Sequence, residues 1–177
     1  MNDWVGTLNT TAFVVLMLGA VAKDLKNRRI PNWLTASGLV AALCLRLLMG
    51  RDSLVDGLSG AGLAALVSVP FFAVGALGGG DGKLLIAIGG FMGPVRLAGA
   101  LLVIALVGGA LAVLDAYRRG ILLVVWFNVL DLLKHWLTLG RHGKRIGLSS
   151  PGAVTIPYGV AIAAGSLVWW FWGVRIQ

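Results

Sequence analysis

The chain has 177 residues, 58% of them hydrophobic and 12% charged, and a mean hydropathy of +0.90. Soluble domains carry about 25% charged residues, so this composition excludes a soluble domain and points to one membrane-embedded domain over residues 1–177. The net charge is +8, from 15 Lys and Arg against 7 Asp with no Glu, and the basic residues cluster in short stretches between apolar runs, which fits membrane loops and not a nucleic-acid partner.

A spanning helix needs about 20 apolar residues. The first run covers roughly 4–22, with Trp4 as an interfacial anchor. No basic segment precedes it and no small-residue cleavage site follows it, so it reads as a retained helix and not a signal peptide. The polar stretch KDLKNRRIPN follows, and Pro31 with Asn32 shapes a turn and a new helix start. The second run, 33–49, holds the single cysteine, Cys44, as a small packing residue, with Arg46 near its far end. RDSLVDG reads as a short loop. The third run, 57–77, is rich in Gly and Ala, and its GLSGAGLAA pattern suits close helix packing.

ALGGGDGKLL, residues 76–85, then interrupts the apolar sequence. The fourth run, 84–94, is short. The fifth covers 97–114, and the last, 153–173, ends in the aromatic cluster VWWFW. Residues 121–142 place Asn128, Asp131, His135, Thr138 and His142 at steps of 3, 4, 3 and 4, which puts them on one helical face. That pattern predicts an amphipathic helix lying in the membrane surface; it and a basic loop together occupy about 119–150. His135 and His142 lack a third ligand nearby, so no metal is expected.

These readings give an all-α membrane protein with about six transmembrane helices. Eleven basic residues then fall on one side, in KDLKNRR, GGGDGK and the 115–150 segment. Arg46, Arg51, Arg96 and Arg175 fall on the other. The asymmetry orients the first side to the cytoplasm and the N-terminus outside. Asp24 and Asp81 both land on the cytoplasmic side, each close to a helix end. Two carboxylates in a poorly solvated place cannot both ionise easily, and they titrate as a pair. One can then act as base on a water while the other, protonated, polarises a peptide carbonyl. The glycines around Asp81 would allow unusual backbone angles and a close approach of substrate. The alternative from the residues alone is a small non-enzymatic membrane protein, a transporter subunit or assembly scaffold, whose aspartates bind ions or protons.

Three stretches taken in order carry a resemblance: KDLKNRRIPN, GGGDGK and IPYGVAIAAG at 156–165. The chain resembles the prepilin peptidases (type IV prepilin leader peptidases) of the GxGD intramembrane aspartyl protease class. The resemblance implies a catalytic pair, Asp24 and Asp81, and an aspartyl endopeptidase of the bacterial inner membrane. It implies cleavage of type IV, Flp-like prepilins after a glycine at the cytoplasmic face. It places Gly78, Gly80, Lys83, Pro31, Asn32, Pro157, Tyr158 and Gly159 around the site as substrate-binding or shaping residues. The partners implied are a prepilin substrate and membrane lipid, and no cofactor is expected. The long forms carry an insert with paired Cys-x-x-Cys motifs and an N-methyltransferase activity. This chain, with one cysteine and no such insert, is similar to the short forms of tight-adherence pilus systems, and methylation is not expected. Presenilin-like proteases carry Tyr-Asp in their first motif, whereas Lys23 precedes Asp24 here.

Overall fold

The structure is a computed structural model that describes residues 3–73, 77–127, 130 and 158–173. Every element in that set is helical. In chain order they are α1 (Asp3–Asn27), α2 (Asn32–Met49), α3 (Arg51–Ala73), α4 (Gly79–Met92), α5 (Pro94–Arg118) and α6 (Tyr158–Trp172). Helices α1, α2, α3 and α5 are long and apolar enough to cross a membrane, whereas α4 and α6 are shorter. The protein is thus an all-α, multi-pass membrane protein, with the expected six apolar runs each forming a helix.

Helix α4 is the centre of the bundle and packs against all five others. Its 14 residues rise about 21 Å, less than the roughly 30 Å of a bilayer's hydrocarbon core. It is covered by protein: Leu84, Leu85 and every residue from Ala87 to Met92 are buried. The closest packing is with α3, whose buried face is Gly57, Gly60, Ala64 and Ser68. A Cβ at Gly60 would overlap the Gly89 carbonyl, so the GLSGAGLAA stretch serves close backbone approach, as its composition suggests. On the other side, Phe13 of α1 stacks on Trp170 of α6 with centroids 4.3 Å apart and meets Phe91 of α4 edge-on at 5.6 Å.

Single glycines make two of the connections. Gly50, at φ 124°, joins α2 to α3, and Gly93, at φ 75°, joins α4 to α5. Such angles favour residues without a Cβ. The turn at Gly50 is so tight that RDSLVDG, expected as a loop, forms the first turns of α3. Cys44 also departs from expectation: it is exposed on the outer face of α2 and is not a packing residue.

A helix that ends inside an apolar slab leaves carbonyls without partners. Arg46 supplies one: its buried guanidinium donates to Phe91 O at 2.8 Å in the last turn of α4. The same side chain donates to Ser53 O at 2.9 Å and pairs with Asp56 at 2.7 Å. The Asp56 side chain is 48% exposed and that of Arg46 only 10%. The two deletions should therefore differ. Arg46→Met leaves a half-solvated carboxylate and two carbonyls, Phe91 O and Ser53 O, without their donor, at about 1–3 kcal/mol for each buried group. Asp56→Ala removes a half-exposed partner while the guanidinium keeps both carbonyls, which costs about 1 kcal/mol or less. Melting in one detergent should rank Arg46→Met as the less stable variant; the reverse order would remove this account.

The expected surface helix is described only at its start. Residues 122–127 are helical, with Trp126 and Phe127 exposed. The residues of its polar face, Asn128, Asp131, His135, Thr138 and His142, lie outside the described residues.

Candidate active site

Three chain segments meet at one end of the bundle. The first is the end of α1. Asp24 is buried there, 6% exposed, and its Oδ2 accepts no hydrogen bond among the described residues. A buried carboxylate oxygen without a partner is costly, and it is retained only where the fold or the chemistry requires it. The chain then turns sharply. Arg28 adopts φ 50°, and it is the only non-glycine among the described residues with positive φ; its N–H donates to Asp24 O at 2.8 Å. This turn carries Ile30 back into the bundle, where it is buried between the exposed Arg29 and the partly covered Pro31. Pro31 then caps α2 in an extended conformation, and Asn32 is its first residue.

The second segment is the first turn of α4. The glycines at 78, 79, 80 and 82 do not use the unusual angles expected of them; the stretch is the start of a helix. Gly78 is the N-cap at φ −68°, and Asp81 lies in the first turn. Space is what these glycines provide. A Cβ at Gly78 would lie 2.7 Å from Asp81 Oδ2. A Cβ at Gly80 would lie 3.1 Å from Ile30 O and 3.2 Å from Ile30 Cβ. Lys83 donates to Asn32 Oδ1 at 2.9 Å, which ties the same turn to α2.

The third segment is the start of α6. A Cβ at Gly159 would lie 2.8 Å from Asp24 Oδ2 and 3.1 Å from Ile30 Cδ1. Gly159 is therefore the roof of the Asp24 carboxylate. Tyr158 lies elsewhere: it is 42% exposed, and its hydroxyl is the nearest atom to a Cβ built at Gly108 of α5. Pro157 is outside the described residues.

Asp81 sits in α4, outside the four helices long enough to span. Burial, and after it the nearby Asp24 carboxylate, push its carboxyl up to about 6, against a hydrogen bond from the Gly78 backbone. The two aspartates thus act on each other by charge. Asp115, the third acid at this end among the described residues, pairs with Arg119 at 2.9 Å one turn along α5. No cluster of three metal-ligating side chains occurs among the described residues.

The profile of the type IV leader peptidase family matches residues 11–113, more than half of the chain. The chain belongs to the type IV leader peptidase family. Among curated proteins and solved structures, none matches it. As a leader peptidase it is a membrane-embedded hydrolase whose substrate is a prepilin. The match takes in both aspartates, Pro31, Asn32, Gly78, Gly80 and Lys83, and ends before α6. The sequence motifs single out all of these, and Gly159 beyond them. Ile30 lies inside KDLKNRRIPN but is not among the candidate site residues, because an apolar side chain carries no chemistry to single it out; its setting within a run of cations is the signal available.

Proposed function

We propose that this leader peptidase is an aspartyl endopeptidase whose catalytic pair is Asp24 and Asp81. The observation that carries the reading is the mutual action of two carboxylates in one poorly solvated place, with an oxygen of Asp24 free of any partner among the described residues. Such a pair holds one proton between its members over a range of pH. The ionised carboxylate takes a proton from a water as the water's oxygen attacks the scissile carbonyl. The protonated carboxylate donates a hydrogen bond to that carbonyl oxygen. Breakdown of the tetrahedral species returns a proton to the leaving amine and releases the leader. Gly78, Gly80 and Gly159 keep side chains off the two carboxylates and the segment between them. Pro31, Asn32 and Lys83 fix that segment. The resemblance to short Flp-type enzymes assigns the bond cut to the one after a glycine in the prepilin leader.

The test is co-expression with candidate Flp-like precursors, read as a mobility shift and by sequencing the new N-terminus. A shortened product starting after a glycine supports the reading. Intact precursor with every candidate, including those encoded beside the enzyme, counts against it and favours a scaffold.

We place the site at the cytoplasmic face of the inner membrane, with the N-terminus outside. Lys23, Lys26, Arg28, Arg29, Lys83, Arg118 and Arg119 lie at the aspartate end of the helices, and Arg46, Arg51 and Arg96 at the opposite end. This is the bias of cytoplasmic loops. In a Cys44→Ser background, Asn27→Cys and Gly143→Cys should label from the cytoplasm and Asp52→Cys from outside. Labelling at 143 from outside would mean that residues 121–139 cross the membrane.

A further inference from the structure

We propose that Ile30 is a positioning residue for the aspartate pair: a buried wedge that sets the spacing of α1, α4 and α6 around the carboxylates and keeps bulk water from them. The inference rests on the reading of Asp24 and Asp81 as the catalytic pair.

Ile30 is 7% exposed, although the chain on both sides of it is exposed or half-exposed. An apolar side chain in a polar turn is drawn inward by burial, and here it enters where two glycines leave room. Its backbone and Cβ face Gly80 on α4, one residue before Asp81. Its Cδ1 faces Gly159 on α6, against which Asp24 Oδ2 also lies. One side chain therefore reaches from the turn that carries Asp81 to the helix that roofs Asp24.

A second observation concerns the turn that delivers it. Arg28 holds a left-handed conformation that a side chain other than Gly or Asn rarely adopts, at a cost of about 1 kcal/mol or more. Asn27, directly before it, would take that conformation more easily. The strain falls one residue later, at the register that returns Ile30 to the bundle. The Lys83–Asn32 hydrogen bond holds the far side of the same segment to α4. The segment is fixed from both ends with Ile30 between them.

The ionisable groups on the surrounding elements come from α1, α4, α5, the turn and α6. From α1 they are Lys23, Asp24 and the exposed Lys26, from α4 Asp81 and Lys83, the last tied to Asn32, and from the end of α5 the exposed Arg118 and the paired Asp115 and Arg119. The turn adds Arg28 and Arg29, both exposed, and α6 adds Tyr158, which lies toward α5. Asn32, at the start of α2, is neutral and accepts from Lys83, and Ser68 of α3, beside Gly82, is neutral as well. Burial, and after it the Asp24 charge, therefore raises the proton affinity of Asp81. A wedge that is shortened admits water, water favours the ionised carboxylate, and the shared proton leaves at lower pH. Carboxylates that can drift also lose their alignment, and misplacement of about 1 Å costs on the order of a hundredfold in rate.

The experiment compares wild type, Ile30→Val and Ile30→Ala in precursor cleavage across pH, with melting in the same detergent. Ile30→Ala should lower kcat by roughly tenfold or more with KM changed less than about twofold, because the loss is one of alignment and not of substrate contact. The alkaline limb of its pH profile should move to lower pH. Ile30→Val, one methyl shorter, should show a smaller shift in the same direction, and it answers the question if the alanine variant does not fold. Wild-type kcat and pH profile in both variants would overturn the proposal. So would a rate that falls only in step with the folded fraction while the pH profile stays in place, since that is what packing alone predicts. Asp24→Asn assayed alongside separates the two readings. Cleavage by Asp24→Asn removes the pair and the wedge together. Loss of cleavage there with Ile30→Ala unaltered removes the wedge alone.

Discussion

Asp24→Asn and Asp81→Asn should each lower precursor cleavage by at least about a thousandfold and leave the protein folded in the membrane. The reason lies in proton states. The mechanism needs one carboxylate that can take a proton and one that can give one, and an amide can do neither. Asparagine matches aspartate in shape, so the packing of Gly159 on residue 24 and of Gly78 on residue 81 is kept. The fold has little cause to suffer from either change. Among the described residues Asp24 Oδ2 has no hydrogen bond to lose, and burial already works against the charge at Asp81. A carboxyl raised from 3.8 to about 6 binds its proton more tightly folded than unfolded. It stabilises the fold below about 4, and that contribution is lost as pH rises toward 6 and beyond. Asp81→Asn should therefore melt no lower than wild type at neutral pH. The check is a pair of measurements on each variant: cleavage of a co-purified precursor, and a thermal melt in the same detergent. Cleavage within tenfold of wild type by either variant would dispose of the aspartyl mechanism. A melt lowered by many degrees at neutral pH would show that the carboxylate has a structural partner.

The two ends of the bundle differ in how legible they are in the sequence. At the aspartate end the motifs are contiguous, and counting charges along the chain is enough to put Asp24 and Asp81 on one side. The fold brings the residues around them together: Gly80 meets Ile30, Lys83 meets Asn32 and Gly159 meets Asp24. At the opposite end the pairing is long-range. Arg46 and Phe91 are 45 residues apart, and nothing local to Arg46 announces that it will cap α4. The polarity of RDSLVDG suggests that Asp56 belongs to an external loop. A single glycine at φ 124° makes the turn instead, and tertiary packing draws that polar segment into α3. The glycines of GGGDGK suggest freedom of angle. Their angles are ordinary, and their missing Cβ atoms matter instead, which only the neighbours of a glycine can reveal.

The two ends serve one another through α4. This helix is too short to span, and it carries Asp81 in its first turn. Its depth in the bundle is set at its far end, where Arg46 holds Phe91 O and where Gly93 turns the chain into α5 against Asp56. A charged pair at the far end of the bundle thus fixes the level at which a carboxylate is presented about 15 Å away along the helix.

Gly159→Ala should cost cleavage on the order of a hundredfold while leaving thermal stability within a few degrees of wild type. Alanine is the better helix former, by about 1 kcal/mol, so local preference favours the substitution inside α6. The added methyl, however, would lie 2.8 Å from Asp24 Oδ2 and 3.0 Å from its Cγ, both too close. Something must move, and the carboxylate is the nearest free end. Among the described residues no donor reaches Oδ2 to hold it against the push. It swings out of line with Asp81, and the pair no longer shares its proton. Gly78→Ala applies the same push to Asp81, where a methyl would lie 2.7 Å from Oδ2. Gly80→Val acts on backbone instead, because Ile30 O and N lie at 3.1 and 3.4 Å, and it should lose both cleavage and some stability. Gly62→Ala is the control: nothing lies within 4 Å of a Cβ there, so cleavage should stay at the wild-type rate. Cleavage by precursor assay, with melting on the same samples, distinguishes these cases. Wild-type cleavage by Gly159→Ala would mean that the Asp24 carboxylate can yield without consequence, and that its place beneath α6 is not the one from which it acts.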